Sequence, residues 1–231
     1  MQEPTRAPPV DALSVLSRLQ RGIETLYRVN TRLDVNAFVV SEAARDSSLA
    51  NSEGPGTSRR PREQLLVEQK SDELRLALFL DADAIANLQR NDPAEGLDTQ
   101  NFNDFCLVVE GVSHFVYVAV CAAGDRSVSA LELEIQAEVD KFVTCLLLVK
   151  NHHEQAPRVR SWLFDEPRFA NDLSPEEHSR YTAAHSAANA YAGSLQRRYV
   201  GHQRTPDMLA ELRLFYRLSL EAKLHHIAKA A

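Results

Sequence analysis

Hydrophobic positions along the chain change period from one segment to the next. Leu16, Leu19, Ile23, Leu26, Tyr27 and Leu33 recur mostly at intervals of three and four, which predicts a helix with one buried face from about Val10 to Leu33. Val35 to Ser41 reads as a strand. Gln64 to Gln69 and Glu73 to Leu80 read as two arms of a hairpin turning around Lys70, Ser71 and Asp72. In the second arm Leu74, Leu76, Leu78 and Leu80 share one side while Arg75 and Ala77 take the other, the pattern of a sheet covered on one face. Ala82 to Arg90 predicts a short helix, and Phe102 to Glu110 another that stops near Gly111. His114 to Ala123 is apolar on both alternating sides and is expected as a buried central strand.

The second half is punctuated by helix starts. Ser129 and Glu132 have the spacing of a capping box, opening a long helix expected to end around Asn151 to His153. An irregular connector carrying Trp162 follows. Ser174, Pro175 and Glu177 supply cap, first-turn proline and reciprocal carboxylate for the next helix, and Thr205 with Pro206 marks the last. The short VGHQR link between these two makes them antiparallel neighbours.

The expected fold class is therefore α+β: a small, mostly antiparallel sheet of about four strands packed by long helices, followed by a C-terminal antiparallel helical hairpin. Residues 1–155 form the expected core, and residues 156–231 the connector and hairpin packed on it. Residues 42–62, rich in Ser, Gly, Pro and charge, are expected to be a mobile loop, because they cannot bury enough apolar area to offset the entropy of ordering.

Composition narrows the classes. With 231 residues, 44% hydrophobic and 25% charged, the chain can bury one main core. Its 26 Lys and Arg against 32 Asp and Glu give a formal charge of −6, which repels a phosphate backbone, so nucleic acid is not an expected partner. The Arg59, Arg60 and Arg62 cluster reads as solvated linker. The opening MQEPTRAPP lacks the apolar region of a signal sequence, and the longest apolar runs, such as Phe115 to Ala123, fall short of the ~20 residues that span a bilayer. No membrane insertion and a cytoplasmic location are expected. Cys106, Cys121 and Cys145 sit among apolar neighbours without a C-x-x-C pair and read as buried reduced thiols.

Candidate chemistry lies where ionisable groups interrupt apolar segments. On the helix from Ser129, Leu131, Ile135, Val139, Phe142, Leu146 and Val149 share a face, with Glu138 inside that arc and Glu134 at its edge. A buried carboxylate requires a partner or a raised pKa, and His114, Lys141 and Lys223 are the candidate partners. Glu110 and His114 have i, i+4 spacing, but Gly111 between them and the lack of a second histidine argue against a metal motif. No metal and no cofactor are expected. His152 with His153, and His225 with His226, are expected to cap helix C-termini. Tyr181, Ala184, His185, Ala188, Ala192, Leu195 and Tyr199 share a helix stripe that reads as a packing seam, and the alternative is a polar pocket lined by His185 and Asn189 near Tyr181.

No nucleotide loop or nucleophile elbow is present. The function expected first is that of a non-catalytic accessory or regulatory protein that binds a protein partner, itself or both. Trp162, Phe164 and Phe169 of the connector, with Phe215 and Leu218 of the strongly apolar last helix, are its interface candidates. The competing expectation is an enzyme or small-ligand sensor that uses Glu138 with His114 and Glu134.

Overall fold

A computed structural model describes residues 14–50, 61–70, 73–165 and 172–230. Nine helices and three strands are assigned among them. Helix α1 (Val15–Tyr27) leads through a 3-10 turn to β1 (Val39–Val40), then α2 (Glu42–Ala50), β2 (Glu63–Lys70), β3 (Glu73–Leu80) and α3 (Ala82–Arg90). The long pair α4 (Phe102–Ala123) and α5 (Ala130–Leu148) follows, and α6 (His152–Phe164), α7 (Pro175–Arg198), α8 (Thr205–Tyr216) and α9 (Leu220–Ala230) complete the chain.

The sheet has the order β1-β3-β2. The hairpin pairs antiparallel from Glu63 opposite Leu80 to Lys70 opposite Glu73, and β1 adds a short parallel rung at Val39 and Val40. There are three strands rather than about four, because His114 to Ala123 is helical. Phe102 to Ala123 forms one continuous helix, α4, running through Gly111. Its Val-rich stretch favours strands by propensity, but α1, α3, α5 and the sheet surround it, and burial on every side outweighs local preference. Glycine at 111 permits the close approach: a Cβ there would stand 2.7 Å from Leu80 Cδ2 and 3.0 Å from Glu63 Cγ. As one helix, α4 is also long and apolar enough to cross a bilayer, which the separate segments are not, and 78% of its most apolar stretch is covered by the protein itself.

Other boundaries move for physical reasons. Helix α1 is shorter than its hydrophobic period suggests, closing at Tyr27 with Arg28 in the left-handed conformation, and Leu33 is left exposed. Val35–Phe38 is a 3-10 turn and not a strand. Part of the expected loop is α2, held by Arg45, which is only 1% exposed, reaches Asp46 at 2.8 Å and lies 4.1 Å over the Phe79 ring. Residues 51–60, which include Arg59 and Arg60, and the turn residues Ser71 and Asp72 lie outside the described residues. Helix α5 begins at its Ser129 cap, as expected, and stops at Leu148, after which Val149 is extended and Asn151 takes a left-handed conformation (φ 53°) that starts α6. The expected irregular connector is thus largely helix, with Pro157 tolerated inside it. His152 and His153 therefore open a helix instead of closing one.

Ser174 and Glu177 form the reciprocal capping box of α7. The helix expected from Thr205 breaks at residues 217–219 into α8 and α9, so the C-terminal region is not a simple two-helix hairpin. One apolar core runs from Val15 through Phe105, Phe142 and Tyr191 to Ile227.

Candidate functional site

Helix α5 lies between α4 and α7 and carries polar groups in two stripes. Glu134, Glu138 and Lys141, spaced by four and three residues, occupy one face; Glu132, Gln136 and Asp140, spaced by four, occupy the other. Each stripe meets groups from neighbouring elements, and the two meetings differ.

The first stripe forms the base of a groove of about 1290 Å³ bounded by β2, α4, α5, α6 and α7. Two alternating rows of acid and base cross it. In one, Glu110 of α4 lies 3.0 Å from Lys141 Nζ, Lys141 lies 2.5 Å from Glu138, and Glu138 lies 3.9 Å from His185 Nδ1 of α7. Burial opposes the charge on Lys141, but Glu110 and Glu138 outweigh it and raise the ammonium pKa well above its ordinary value. Burial likewise opposes ionisation of Glu138, and Lys141 and His185 overcome it, taking the pKa down to about 2. The Glu138 carboxylate nearby raises the pKa of His185, whose Nε2 lies 3.2 Å from the Phe164 carbonyl oxygen. Lys141 closes this row with hydrogen bonds to both Glu110 and Glu138, tying α4 to α5, and the longer Glu138–His185 pair reaches α7.

The other row is open. Glu63 Oε1 of β2 stands 3.4 Å from His114 Nδ1, His114 Nε2 stands 3.8 Å from Glu134 Oε2, and Glu134 Oε1 stands 4.0 Å from Arg180 Nε of α7. These are ion-pair separations without hydrogen-bond geometry. Among the described residues, Glu63 Oε1, His114 Nε2 and Arg180 Nε are buried and have no hydrogen-bond partner. Burial lowers the pKa of His114, but the contact with Glu63 and the charges of Glu134 and Glu110 reverse that and take it up to about 9. Burial raises the pKa of Glu63. Burial also raises Glu134, against the pull of His114 and with the help of Glu110 and Glu63, to about 7. A carboxyl group that gains and loses a proton near neutrality thus faces the groove beside a protonated imidazole, a combination suited to general acid/base work or to ligand-linked proton exchange.

The second stripe of α5 is sealed. Asp140, fully buried, accepts hydrogen bonds from Ser113 Oγ at 2.5 Å, from Gln136 Nε2 at 2.9 Å and from the Tyr27 hydroxyl. Lys223 of α9, also fully buried, donates to Gln136 Oε1 at 2.5 Å and lies 4.3 Å over the Phe215 ring. At the N-terminal end of the helix, Glu132 accepts from Tyr117 at 2.6 Å and Arg126 at 2.5 Å. Burial moves Asp140 up to about 6 and Lys223 down to about 7.

The structure therefore brings Glu138, His114 and Glu134 into one groove and gives each a different task. Glu138 is fixed in its ionised form by Lys141, one of its candidate partners, and by His185; Lys223 lies in the other cluster. Because α4 is continuous, Glu110 and His114 do share a helix face. Among the described residues no three His, Cys, Asp or Glu side chains stand where they could hold one metal ion. His185 and Tyr181 line the groove, whereas Asn189 accepts a hydrogen bond from Arg160 at 3.0 Å. His226 contacts Glu211 instead of capping its helix. Cys121 and Cys145 are buried, and burial raises both thiol pKa values.

Of the interface candidates, Phe215 and Phe164 are core residues at 0% and 4% exposure, and Leu218 packs against the core from a partly buried position. Trp162 is 39% exposed, edge-on to Phe102 and stacked by Arg158. Phe169 lies outside the described residues.

Glu63 and Arg180 had not stood out in the sequence. Glu63 opens a strand and Arg180 sits on a polar helix turn, and no local spacing relates either to His114. Compared with protein-family models, curated proteins and solved structures, the chain shows no significant match. Its function is read from the site itself.

Proposed function

We propose that the groove binds a small polar molecule and that Glu134 is the group that exchanges a proton with it. The observation that carries this is the open row Glu63, His114, Glu134, Arg180. Four elements distant in sequence bring ionisable groups together at the base of a large groove and leave them without hydrogen bonds to one another. A purely structural network gains nothing from such gaps, since each unsatisfied buried group costs about 1–3 kcal/mol. A binding site does gain, because the ligand completes the network. Glu138, Glu110, Lys141 and His185 serve as the scaffold that fixes α4, α5 and α7 around the row.

Native mass spectrometry of gently purified protein tests this reading. Wild-type protein is expected to carry a small molecule in a fixed ratio, and Glu134→Gln is expected to lose it while melting no earlier. Identical spectra, with no added mass in either, would count against it.

The first expectation from sequence, a non-catalytic protein that binds a partner or its own copies, ranks second. Its apolar surplus is largely absorbed by the core, and what supports it now is the exposure of Trp162, Leu214 and Leu224 at 39%, 51% and 41%. Light scattering after size exclusion tests it: a concentration-independent oligomer favours it, and a monomer counts against it.

A further inference from the structure

We infer that the groove takes an aliphatic α-amino acid, its carboxylate held by Arg180 and His114 and its ammonium group by Glu134. This rests on the groove being a small-molecule site. Among the described residues, seven buried side-chain atoms have no hydrogen-bond partner, and four of them belong to residues that line the groove: the acceptors Glu63 Oε1 and Gln64 Oε1 and the donors His114 Nε2 and Arg180 Nε. A plain amine would leave both donors unmatched, and a plain carboxylate both acceptors. A molecule with donor and acceptor groups on adjacent carbons serves both kinds.

The donors suit a carboxylate. His114, its pKa taken up to about 9, keeps a proton on each ring nitrogen near neutrality. Nδ1 faces Glu63 at 3.4 Å, and Nε2 faces Glu134 at the base of the groove, on a side chain only 9% exposed. Arg180, 25% exposed, makes no hydrogen bond with a described residue, and its planar fork matches the two oxygens of a carboxylate.

Glu134 supplies the opposite charge beside them. Lys141 engages Glu110 and Glu138, whereas no described side chain donates to Glu134, which lies 3.8 Å from His114 Nε2 and 4.0 Å from Arg180 Nε. The two seats adjoin, so the two charges of the ligand must be close. In an α-amino acid the nitrogen and the carboxyl carbon are about 2.5 Å apart, against about 5 Å in an extended γ-amino acid. The open row holds two acids and two bases, and a zwitterion adds no net charge to it; a lone ammonium or carboxylate would add one needing compensation. Leu65, two residues along β2 from Glu63, lines the groove with Leu107 and Leu133, an apolar wall suited to an aliphatic side chain.

Isothermal titration calorimetry with L-leucine, L-leucinamide and 4-methylpentanoate tests the inference. The three share one aliphatic body; leucinamide lacks the carboxylate, and 4-methylpentanoate lacks the ammonium group. Leucine is expected to bind saturably, about tenfold or more tightly than either. Arg180→Gln should weaken leucine and 4-methylpentanoate by a similar factor and spare leucinamide. Glu134→Gln should weaken leucine and leucinamide and spare 4-methylpentanoate. A role confined to the fold would shift all three alike.

Leucinamide as tight as leucine would overturn the carboxylate seat, and 4-methylpentanoate as tight as leucine the ammonium seat. Leucine binding unchanged in both variants would overturn its placement here. No binding of leucine overturns the inference; the small-molecule site itself falls only if native spectra of wild type and Glu134→Gln are also identical.

Discussion

On one face of α5, Asp140 receives hydrogen bonds from Ser113, Gln136 and Tyr27, and Lys223 completes the set through Gln136. On the other, Glu134 receives none from the described residues, although His114 and Arg180 stand within 4.0 Å. The same helix thus buries carboxylates in two ways. Low dielectric magnifies both outcomes: a satisfied network becomes rigid and specific, and an unsatisfied one stays costly until something completes it. The difference separates a group that holds the fold from one that the fold holds in place.

Substitutions should therefore have opposite signs on the two faces. The largest effect is expected from Asp140→Ala, which strands the donors of Ser113, Gln136 and Tyr27 in the core; urea unfolding should show a loss of about 3–5 kcal/mol. Gly111→Ala comes next. Its methyl group would meet Leu80 and Glu63, so overpacking outweighs the gain in helix propensity, and a net loss of about 1–2 kcal/mol is expected by the same assay. Because Glu63 is one of the atoms displaced, this variant should also lose ligand in native mass spectra.

Glu134→Gln should instead stabilise. The folded pKa of about 7 lies above the ordinary 4.5, so the folded state retains a proton that the unfolded chain has released between those values. Wild-type stability contributed by this group therefore falls as pH rises from 4.5 to 7. The glutamine variant escapes that loss and should gain about 1–2 kcal/mol at pH 8. Glu138, lowered to about 2 by Lys141 and His185, behaves in the reverse sense: its contribution is present above the ordinary 4.5 and lost as pH falls towards 2. The smallest effect is expected for Arg62→Ala at the groove rim. Arg62 is 51% exposed and pairs with Asp81 and Asp104, and its loss should cost about 0.2–1 kcal/mol.

Local signals carried much of this fold. The caps at Ser129 and Ser174 and the hairpin arms Gln64 to Gln69 and Glu73 to Leu80 follow from chemistry within a few residues, and the structure has them where the sequence puts them. The strand expected at His114 to Ala123 does not form, because a short Val-rich run is ambiguous between a buried strand and a buried helix, and only tertiary surroundings decide. Those surroundings also relocate the chemistry. Glu138 drew notice because it interrupts an apolar arc, yet its partners fix its charge. Asp140 and Gln136 drew none, since the arc extends around a helix covered on both sides. Glu63 and Arg180 come from a strand and a helix more than 100 residues apart, and nothing in either segment refers to the other.

The most direct test is the difference in unfolding free energy between Glu134→Gln and wild type, followed by urea titration from pH 4.5 to 8. The difference is expected to be near zero at the acid end and to grow in favour of the variant through neutrality. A variant less stable than wild type across the range would make Glu134 a structural carboxylate like Asp140 and remove the case for an unfinished site in the groove.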